Sequence, residues 1–263
     1  MNPKHLLEVK NIHLSFGGLK AVNDVSFEIN QNELLGLIGP NGAGKTTVFN
    51  MISGFYKADK GQIVFNSEDI SRLKPFQVNH AGIARTFQNI RLFPQLTVIE
   101  NVLIALQQKH EKSFFQSLLR TKKYLTFEEK LKNEALDLLK IFDLDQLAQE
   151  VAGSLPYGLQ RKLEIVRALS TKPRLLILDE PAAGMNHSET DELKELIQFI
   201  KNKFQLTILL IEHDMKFVMS ICDRIVVLNR GEKIATGTPQ DIKTNPTVIE
   251  AYLGKRHHER QQK

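Results

Sequence analysis

The sequence has one cysteine and no apolar run of the roughly 18 residues that a membrane span requires. A lone Cys222 excludes an internal disulfide and a cysteine-based zinc cluster, and it fits a reducing compartment. The first ten residues mix charged and apolar side chains without an apolar core, so we expect no signal peptide. The composition, 42% hydrophobic and 25% charged, excludes a wholly disordered or collagen-like chain. What remains is a globular protein of one or two domains.

Two short segments more than account for the net charge of +5. Residues 109–132 contain seven Lys and Arg against three acids, and residues 255–263 contain four against one. Such segments can meet anionic lipid or nucleic acid. A solvated helix face and a solvated tail are the simpler interpretation, and both alternatives stay open.

Two kinds of strand pattern occur. Leu6–Leu14 and Asp24–Ile29 alternate between apolar and polar residues, which predicts half-exposed antiparallel strands. Other apolar runs are nearly continuous and are followed by helical patterns, which is typical of a mostly parallel sheet covered on both faces. These buried strands are expected at Glu33–Ile38, Arg174–Leu178, Leu206–Ile211 and Arg224–Leu228, with shorter strands at Gly61–Phe65 and Ile83–Phe87.

The middle of the chain predicts helices and no convincing strand. Thr97 and Glu100 form a capping-box pattern at the start of one helix. Apolar residues at 131, 135, 138, 139 and 142 lie on one face of another, and a third helix is expected from about Pro156 to Ala168. The sequence therefore predicts an α/β core over 6–90 and 171–240, interrupted by a helical subdomain over 91–170.

A glycine-rich segment follows the buried strand that ends at Ile38. Gly39-Pro40-Asn41-Gly42-Ala43-Gly44-Lys45-Thr46 fits the pattern G-x-x-x-x-G-K-[ST], directly before a helix. Glycines let backbone N–H groups surround a phosphate, and the helix N-terminus adds partial positive charge. Lys45 is then expected to reach the β- and γ-phosphates, and the Thr46 hydroxyl to bind Mg²⁺. The segment predicts a P-loop NTPase core.

Two carboxylates follow the buried strand Arg174–Leu178. Ligands gather at the carboxyl ends of parallel strands, so Asp179 is placed to hold Mg²⁺ directly or through water. Glu180 points elsewhere and suits polarising a water for attack on the γ-phosphate.

These segments, in this order, resemble the ATP-binding subunits of ABC transporters. Gln88 matches the family's glutamine loop, Leu155–Gln160 stands at its signature position, and Ile211-Glu212-His213 matches its switch histidine. The resemblance covers about residues 6–254 as one nucleotide-binding domain, followed by a basic tail over 255–263. It implies an α/β fold with an N-terminal antiparallel β subdomain and an inserted all-helical subdomain. Several runs, including Ile249–Gly254, are similar to the type that imports branched-chain amino acids.

The resemblance also implies roles for individual residues. Glu180, His213 and Gln88 are the expected catalytic residues, and Thr46, Gln88 and Asp179 the expected Mg²⁺ ligands. Phe16 would stack on adenine, a contact that any planar ring can make. The other expected contacts to ATP are Gly39, Pro40, Asn41, Gly42, Ala43, Gly44, Lys45, Thr46, Thr47, Pro156, Tyr157, Gly158 and Asn186.

The signature departs from the family's usual Leu-Ser-Gly-Gly-Gln. Here it is Leu155-Pro156-Tyr157-Gly158-Leu159, and Pro156 supplies neither a hydroxyl nor a backbone N–H. Proline suits the first turn of a helix, and the remaining N–H groups can still hold a phosphate. Asn186 stands where the family usually has aspartate.

The sequence thus indicates an ATPase subunit at the cytoplasmic face of a bacterial inner membrane, attached peripherally. Its expected partners are integral-membrane permease subunits and a second ATP-binding subunit, in a homodimer or heterodimer, with no nucleic acid. Leu92, Phe93, Leu96, Val98 and Ile99 are candidates for a permease groove, or for ordinary core. The alternatives are another cargo, such as urea or exported lipopolysaccharide, a soluble ABC ATPase, or a regulator that does not hydrolyse ATP.

Overall fold

The computed structural model describes residues 5–108 and 122–252 of the chain. The chain divides into two compact units, one formed by Met1–Ile83 with Arg174–Lys263 and the other by Ala84–Pro173. Within the described residues, no helix combines the length and apolar character that crossing a bilayer requires. The two expected basic segments fall largely or wholly on residues 109–121 and 253–263, outside the described part.

Strands and helices are interspersed along the chain. The strands are β1 (Leu7–Phe16), β2 (Leu19–Ile29), β3 (Leu34–Ile38), β4 (Lys60–Phe65), β5 (Glu68–Asp69), β6 (Ile83–Arg85), β7 (Leu175–Asp179), β8 (Thr207–Ile211), β9 (Arg224–Asn229) and β10 (Glu232–Gly237). The helices are α1 (Lys45–Ile52), α2 (Pro75–Ala81), α3 (Val98–Gln107), α4 (Lys122–Ile141), α5 (Tyr157–Ser170), α6 (His187–Phe204), α7 (Met215–Ile221) and α8 (Pro239–Thr244). A further helix covers 246–252.

The N-terminal sheet is antiparallel, as predicted, with the order β2-β1-β4-β5. Leu7 lies opposite Ile29, and the β1–β2 hairpin closes with Phe16 opposite Leu19. The second strand therefore begins at Leu19, five residues before the predicted start at Asp24. Register shifts interrupt this pairing, and Asp24 has a positive φ of 55°, so the alternation that marks a strand is broken there.

The second sheet is mostly parallel, with the order β10-β9-β3-β8-β7-β6. β3 pairs in parallel with both β8 and β9, and β7 pairs in parallel with β8. Every residue of β3, β7 and β8 is buried, which explains their continuous apolar sequences. Because β3 lies at the centre, the loop after Ile38 opens at the carboxyl edge of the sheet, beside the ends of β8 and β9.

Sequence reasoning missed the short helix α2. Pro75 occupies its first turn, the Gln77 side chain accepts a hydrogen bond from the Lys74 N–H at 2.9 Å, and Gly82 ends the helix with φ of 111°. These start and stop signals are present in the sequence. With one buried residue, Val78, the helix has no apolar stripe to reveal it.

The second unit is helical. Its described residues between Thr97 and Ser170 contain no strand beyond a single bridge between Thr97 and Val151, in agreement with the predicted helical insert. Thr97 caps α3 as expected: its N–H donates to the Glu100 carboxylate at 2.7 Å, and its hydroxyl accepts from the Glu100 N–H at 3.3 Å. The core includes Val102, Ala105, Leu131, Ala135, Leu139 and Leu163.

The cysteine belongs to the core of the first unit. Cys222 directly follows α7, is buried, and has its Sγ 3.0 Å from where a Cβ on Gly36 would lie. Burial raises the pKa of the Cys222 thiol well above its ordinary range.

Candidate functional site

The glycine-rich loop connects the central strand β3 to α1. Gly39, Gly42 and Gly44 have φ of 154°, 77° and 96°, conformations that residues with a Cβ rarely adopt. A Cβ on Gly39 would lie 2.1 Å from the Leu228 carbonyl oxygen, and one on Gly44 would lie 2.6 Å from that of Ala21. The backbone on both sides therefore requires glycine at these two positions and determines the path of the loop.

Lys45 is the buried charge of this loop. Its side chain is enclosed, and its Nζ donates to the carbonyl oxygens of Gly39 at 2.7 Å and Pro40 at 3.1 Å. The Pro40 oxygen also accepts a hydrogen bond from the Ala43 N–H at 3.0 Å. The ammonium group is thus held at the start of α1, where helix N–H groups already favour an anion.

The N-terminus of α1 is suited to a phosphate group. Its N-cap is Gly44, no side chain caps the helix, and no acidic residue lies in the first turn. Thr46 is exposed and Thr47 half-buried, while Asn41 and Gly42 form the exposed crest of the loop. Uncapped N–H groups beside a buried ammonium form a site for a strongly negative ligand.

The two predicted carboxylates lie at the end of β7. Asp179 is buried and pairs with Ile211 of β8. Glu180 has φ of 46°, and its N–H donates to the Ile211 carbonyl at 2.8 Å. A left-handed conformation costs a residue other than glycine about 1–2 kcal/mol. Such strain is concentrated at functional sites.

The structure places His213 next to Glu180. Its Nδ1 lies 3.8 Å from a carboxylate oxygen of Glu180 and 3.6 Å from one of Glu212. The imidazole is mostly exposed, so it is accessible to a ligand on this edge of the sheet.

Sequence reasoning gave Glu212 no role, although the side chain is almost fully buried. Its carboxylate accepts hydrogen bonds from the N–H groups of Ala182 at 2.9 Å and His213 at 3.1 Å. Burial raises the pKa of Glu212, against the lowering effect of these N–H groups. Its signal was a carboxylate immediately after a buried strand, the same signal that identified Asp179 and Glu180.

Asn186 has a local structural role. It is the N-cap of α6: its side-chain oxygen accepts from the Glu189 N–H at 3.0 Å, and the Glu189 carboxylate accepts from the Asn186 N–H at 2.9 Å. Aspartate caps helices equally well. The departure from the usual aspartate therefore preserves the start of α6.

Phe16 lies at the end of β1 with about half of its surface exposed. Its ring stands edge-on to Tyr56, with centroids 5.3 Å apart and an interplanar angle of 72°. Tyr56 was not predicted, because it follows α1 rather than any strand motif. The pair presents an aromatic surface that a planar base can stack on.

Tyr252 was not predicted as a site residue either. It lies in the helix over 246–252, and its hydroxyl oxygen is buried without a well-formed hydrogen bond to any described residue. Burial raises the pKa of Tyr252 to about 12, and the neighbouring backbone of Gly39 opposes that rise. The first glycine of the phosphate loop therefore has a tyrosine from the end of the chain beside it.

The second unit carries the remaining predicted residues. Gln88 is exposed, and Pro156 is the N-cap of α5, which then begins at Tyr157 and Gly158. No side chain caps α5 and no acidic residue lies in its first turn, so its N–H groups are suited to an anion. Sequence reasoning missed Arg161 and Glu164 on the same helix, both buried.

Two of the residues proposed for a permease groove belong to the core instead. Val98 and Ile99 are buried at the start of α3 because they lie on its inward face. Phe93 remains a surface candidate: about half of its surface is exposed, and the Arg167 guanidinium lies 5.6 Å from the ring centroid.

Comparison with protein families gives two matches. The family model of ABC transporters matches residues 22–183, and that of the branched-chain amino acid ATP-binding cassette transporters matches residues 232–258.

Among individual proteins, the chain is 47% identical over 249 residues to the high-affinity branched-chain amino acid transport ATP-binding protein BraF of Pseudomonas aeruginosa. It is 48% identical over the same length to LivG of Escherichia coli K12, a protein of the same description. Both alignments cover 95% of this chain and 98% of the relative. The lipopolysaccharide export ATP-binding protein LptB of Haemophilus influenzae is 34% identical, over 95% of this chain and 97% of that protein.

Among solved structures, the chain resembles an ATP-binding cassette of an ABC transporter in its ADP conformation. The TM-score is 0.83 at 34% identity, covering 96% of this chain and all of the other. A dimeric ATP-binding cassette in a post-hydrolysis state, bound to ADP and Pi, gives a TM-score of 0.73 at 23% identity, covering 89% of this chain and 98% of that one. At that identity the likeness concerns the fold.

Proposed function

This chain belongs to the ATP-binding subunits of the ABC transporter family and is an ABC transporter ATPase, and on that premise we propose that it powers the import of branched-chain amino acids. The observation that carries the ATP-dependent part of the proposal is the loop Gly39–Thr46. Its glycine conformations and the buried Lys45 form a site for phosphate at the centre of the sheet. The cargo is inferred from the 47–48% identity to BraF and LivG, against 34% to LptB.

We assign the triphosphate of ATP to this loop and the adenine to the Phe16–Tyr56 surface. The N–H groups at the start of α1 hold the phosphates, and the Lys45 ammonium neutralises their charge. The ammonium is already buried in the fold, so on binding it need only exchange carbonyl oxygens of the loop for phosphate oxygens. Phe16 supports the base by stacking and excludes water from one face.

The residues present fit a magnesium ion bound together with the nucleotide. The proposed ligands Thr46 and Asp179, both in the first unit, offer hard oxygens, which Mg²⁺ prefers. The described part of the chain contains no group of three His, Cys, Asp or Glu side chains able to hold a metal by itself. Mg²⁺ usually completes its shell with phosphate oxygens and water, as this sparse set requires. When bound, the ion would neutralise charge on the β- and γ-phosphates.

For hydrolysis, we assign to Glu180 the orientation and polarisation of the attacking water. His213, whose Nδ1 is 3.8 Å from that carboxylate, hydrogen-bonds the γ-phosphate and responds to its loss. Glu212 supports both neighbours: its carboxylate holds the backbone N–H groups of Ala182 and His213, and so stabilises the loop after Glu180 and the start of the histidine turn.

We further propose that two ATP-binding subunits act as a pair, each completing the other's site. The phosphate loop of one chain then faces the α5 N-terminus of its partner, where Tyr157 and Gly158 supply the N–H groups that Pro156 lacks. The partner is a second copy or a related subunit. ATP binding closes the pair and hydrolysis releases it, which drives permease subunits at the cytoplasmic face of the bacterial inner membrane.

The test of the ATPase assignment is Glu180→Gln, with Glu195→Gln on the exposed face of α6 as the matched control. The amide that replaces the Glu180 carboxylate still fills the site but cannot take a proton, so turnover should fall by about 10²–10⁴-fold while ATP binding persists. Gel filtration with saturating Mg-ATP should then show a stable dimer for Glu180→Gln and not for the control. A monomer under those conditions contradicts the paired mechanism.

The test of the cargo uses the chain assembled with its permease subunits in vesicles. ATP hydrolysis should rise when a substrate-binding protein loaded with leucine, isoleucine or valine is added. Stimulation by lipopolysaccharide instead would favour lipopolysaccharide export, as in LptB, and stimulation by urea would favour urea as the cargo.

A further inference from the structure

A buried arginine connects α5 to the segment that carries Gln88. Arg161 is fully buried, and its guanidinium donates to the Phe87 carbonyl oxygen at 2.7 Å and to the Gln88 carbonyl oxygen at 2.8 Å. The Gln88 side chain is exposed, while its backbone carbonyl is bound by the buried guanidinium. These bonds span 73 and 74 positions of sequence, so they determine where the glutamine segment lies on the helix.

A buried glutamate one turn along the helix holds the N–H groups of the same segment. Glu164 accepts from Arg161 at 2.7 Å, from the Arg91 N–H at 3.1 Å and from the Phe87 N–H at 3.4 Å. Arg161 thus binds the carbonyl oxygens of Phe87 and Gln88, and Glu164 binds the N–H groups of Phe87 and Arg91. We call this buried pair, Arg161 with Glu164, the loop clamp.

The loop clamp also reaches the first residue of α5. The Arg161 guanidinium donates to the Tyr157 hydroxyl at 3.2 Å, and Tyr157 directly follows the N-cap Pro156. Within the same segment, the guanidinium groups of Arg85 and Arg91 lie 4.4 and 4.3 Å from the centroid of the Phe87 ring. One buried pair therefore bonds both to the segment that carries Gln88 and to the first residue of α5.

Stability alone gives a poor reason for this arrangement. Burial raises the pKa of Glu164 against the opposing effect of Arg161, because desolvation disfavours the charged carboxylate. Replacing a buried ion pair by well-packed apolar residues is often neutral or stabilising, so such a pair is weak support for a fold. What an apolar pair could not do is bond to backbone carbonyls and N–H groups at defined positions.

We propose that Arg161 and Glu164 are positioning residues that make the segment 87–91 and the turn at 156–158 move as one body. The proposal rests on the proposed function, in which the 156–158 turn faces ATP of the partner subunit, and it takes the segment 87–91, next to the exposed Phe93, as the surface on which the permease acts. A displacement of one segment is then passed directly to the other through the guanidinium group. Neither Arg161 nor Glu164 is among the residues assigned to the nucleotide, and both are buried.

The first experiment needs only the isolated chain and is independent of any cargo. The variants are Arg161→Lys, which keeps the charge but loses the planar fork, and Glu164→Gln, which keeps one acceptor oxygen. Lys162→Met, a neighbour outside the loop clamp, is the control. Hydrogen exchange of the peptide covering 86–93 should accelerate at least 10-fold in both variants, while the peptide covering 39–46 stays as in wild type. Unchanged exchange over 86–93 in both variants overturns the proposal.

The second experiment measures coupling in the assembled transporter. Stimulation of ATP hydrolysis by leucine-loaded binding protein should fall at least 5-fold in Arg161→Lys and Glu164→Gln. Their KM for ATP should stay within 2-fold, because the phosphate loop is untouched. A purely structural role predicts instead that KM, kcat and stimulation worsen together, or that none changes, and either result overturns the proposal.

The two experiments separate this proposal from the cargo assignment. If the wild-type transporter shows no stimulation by leucine, the proposed cargo is wrong, and the exchange measurement alone then decides the loop clamp. If Arg161→Lys does not fold, Glu164→Gln carries both measurements: the amide fills the same volume, but with its oxygen toward the N–H groups of Phe87 and Arg91 its NH2 group faces the guanidinium, so the bond from Arg161 is lost.

Discussion

The two segments assigned to phosphate are built in opposite ways. In the first unit, the loop Gly39–Thr46 is shaped by its own backbone, through three glycines with positive φ and one lysine folded onto its carbonyls. In the second unit, the turn at 156–158 has no glycine of that kind, and the Arg161 guanidinium donates to the Tyr157 hydroxyl at 3.2 Å. A site shaped by backbone demands particular residues in one short segment. A site shaped by side chains allows its own sequence to change, which explains how Leu155-Pro156-Tyr157-Gly158-Leu159 can depart from the usual signature.

The largest expected effect comes from a substitution in the loop Gly39–Thr46, whose shape is determined by its backbone. Gly39→Ala places a Cβ 2.1 Å from the Leu228 carbonyl and should destabilise the chain by more than about 4 kcal/mol, in the tail of single-substitution effects. Gly42→Ala is the control, because no atom lies within 4 Å of its Cβ. Only its positive φ is penalised, at about 1–2 kcal/mol. Thermal and urea unfolding measure both, and equal losses would contradict the steric argument.

A smaller loss should follow from removing the charge of the loop. Lys45→Met keeps most of the side-chain length but removes the charge and its hydrogen bonds to the nucleotide. Charge-assisted hydrogen bonds are worth roughly 1.5–3 kcal/mol, so nucleotide should bind about 10- to 150-fold more weakly. Titration with a fluorescent ATP analogue measures this. Lys57→Met, at an exposed site, removes the same charge and should bind as wild type. An equal loss in that control would mean that general electrostatics, not the Lys45 position, determines the affinity.

Helix caps sharpen the comparison between the units. Thr97→Ala in the second unit and Asn186→Ala in the first each remove a capping side chain and should each destabilise the chain by about 1 kcal/mol. Asn186→Asp should stay within about 0.5 kcal/mol of wild type, because aspartate is an equally good cap. The family resemblance also implies a nucleotide contact for Asn186, so ATP turnover should fall beyond the stability loss only in Asn186→Ala. Equal slowing by Thr97→Ala would argue against that assignment.

The smallest effect at neutral pH is expected at Tyr252, where Tyr252→Phe removes only a hydroxyl group. Folding raises the pKa of Tyr252 from 10.0 to about 12, so the protonated form is favoured in the folded chain. That contribution is complete below pH 10 and is lost as the pH rises toward 12. The difference in phenolate absorbance between wild type and Tyr252→Phe should have its midpoint near pH 12. A midpoint near 10, the ordinary value, would mean that the phenol is not buried beside Gly39.

The same contrast explains how far sequence reasoning reached. The α/β fold, the helical insert and the capping box at Thr97 follow from local patterns, and the structure has all three. The glycine-rich loop was recognisable because its geometry requires particular residues within eight positions. Arg161 and Glu164 could not be recognised, because the backbone groups that they bind lie more than 70 positions away and buried charges in a helix resemble solvated ones in sequence. Tyr56 and Tyr252 were missed for the same reason: each acquires its neighbour only when the chain folds.

The buried thiol of Cys222 makes the chain suitable for labelling at introduced cysteines. A thiol with a raised pKa and little exposed surface forms little thiolate, so it should resist maleimides and mild oxidants. The sequence also contains no tryptophan, so the protein has no indole fluorescence of its own. A single cysteine or tryptophan placed near Gln88 or Tyr157 would therefore report from that position alone. Distance measurements between two such probes could follow the segments 87–91 and 156–158 during turnover without first removing a native residue.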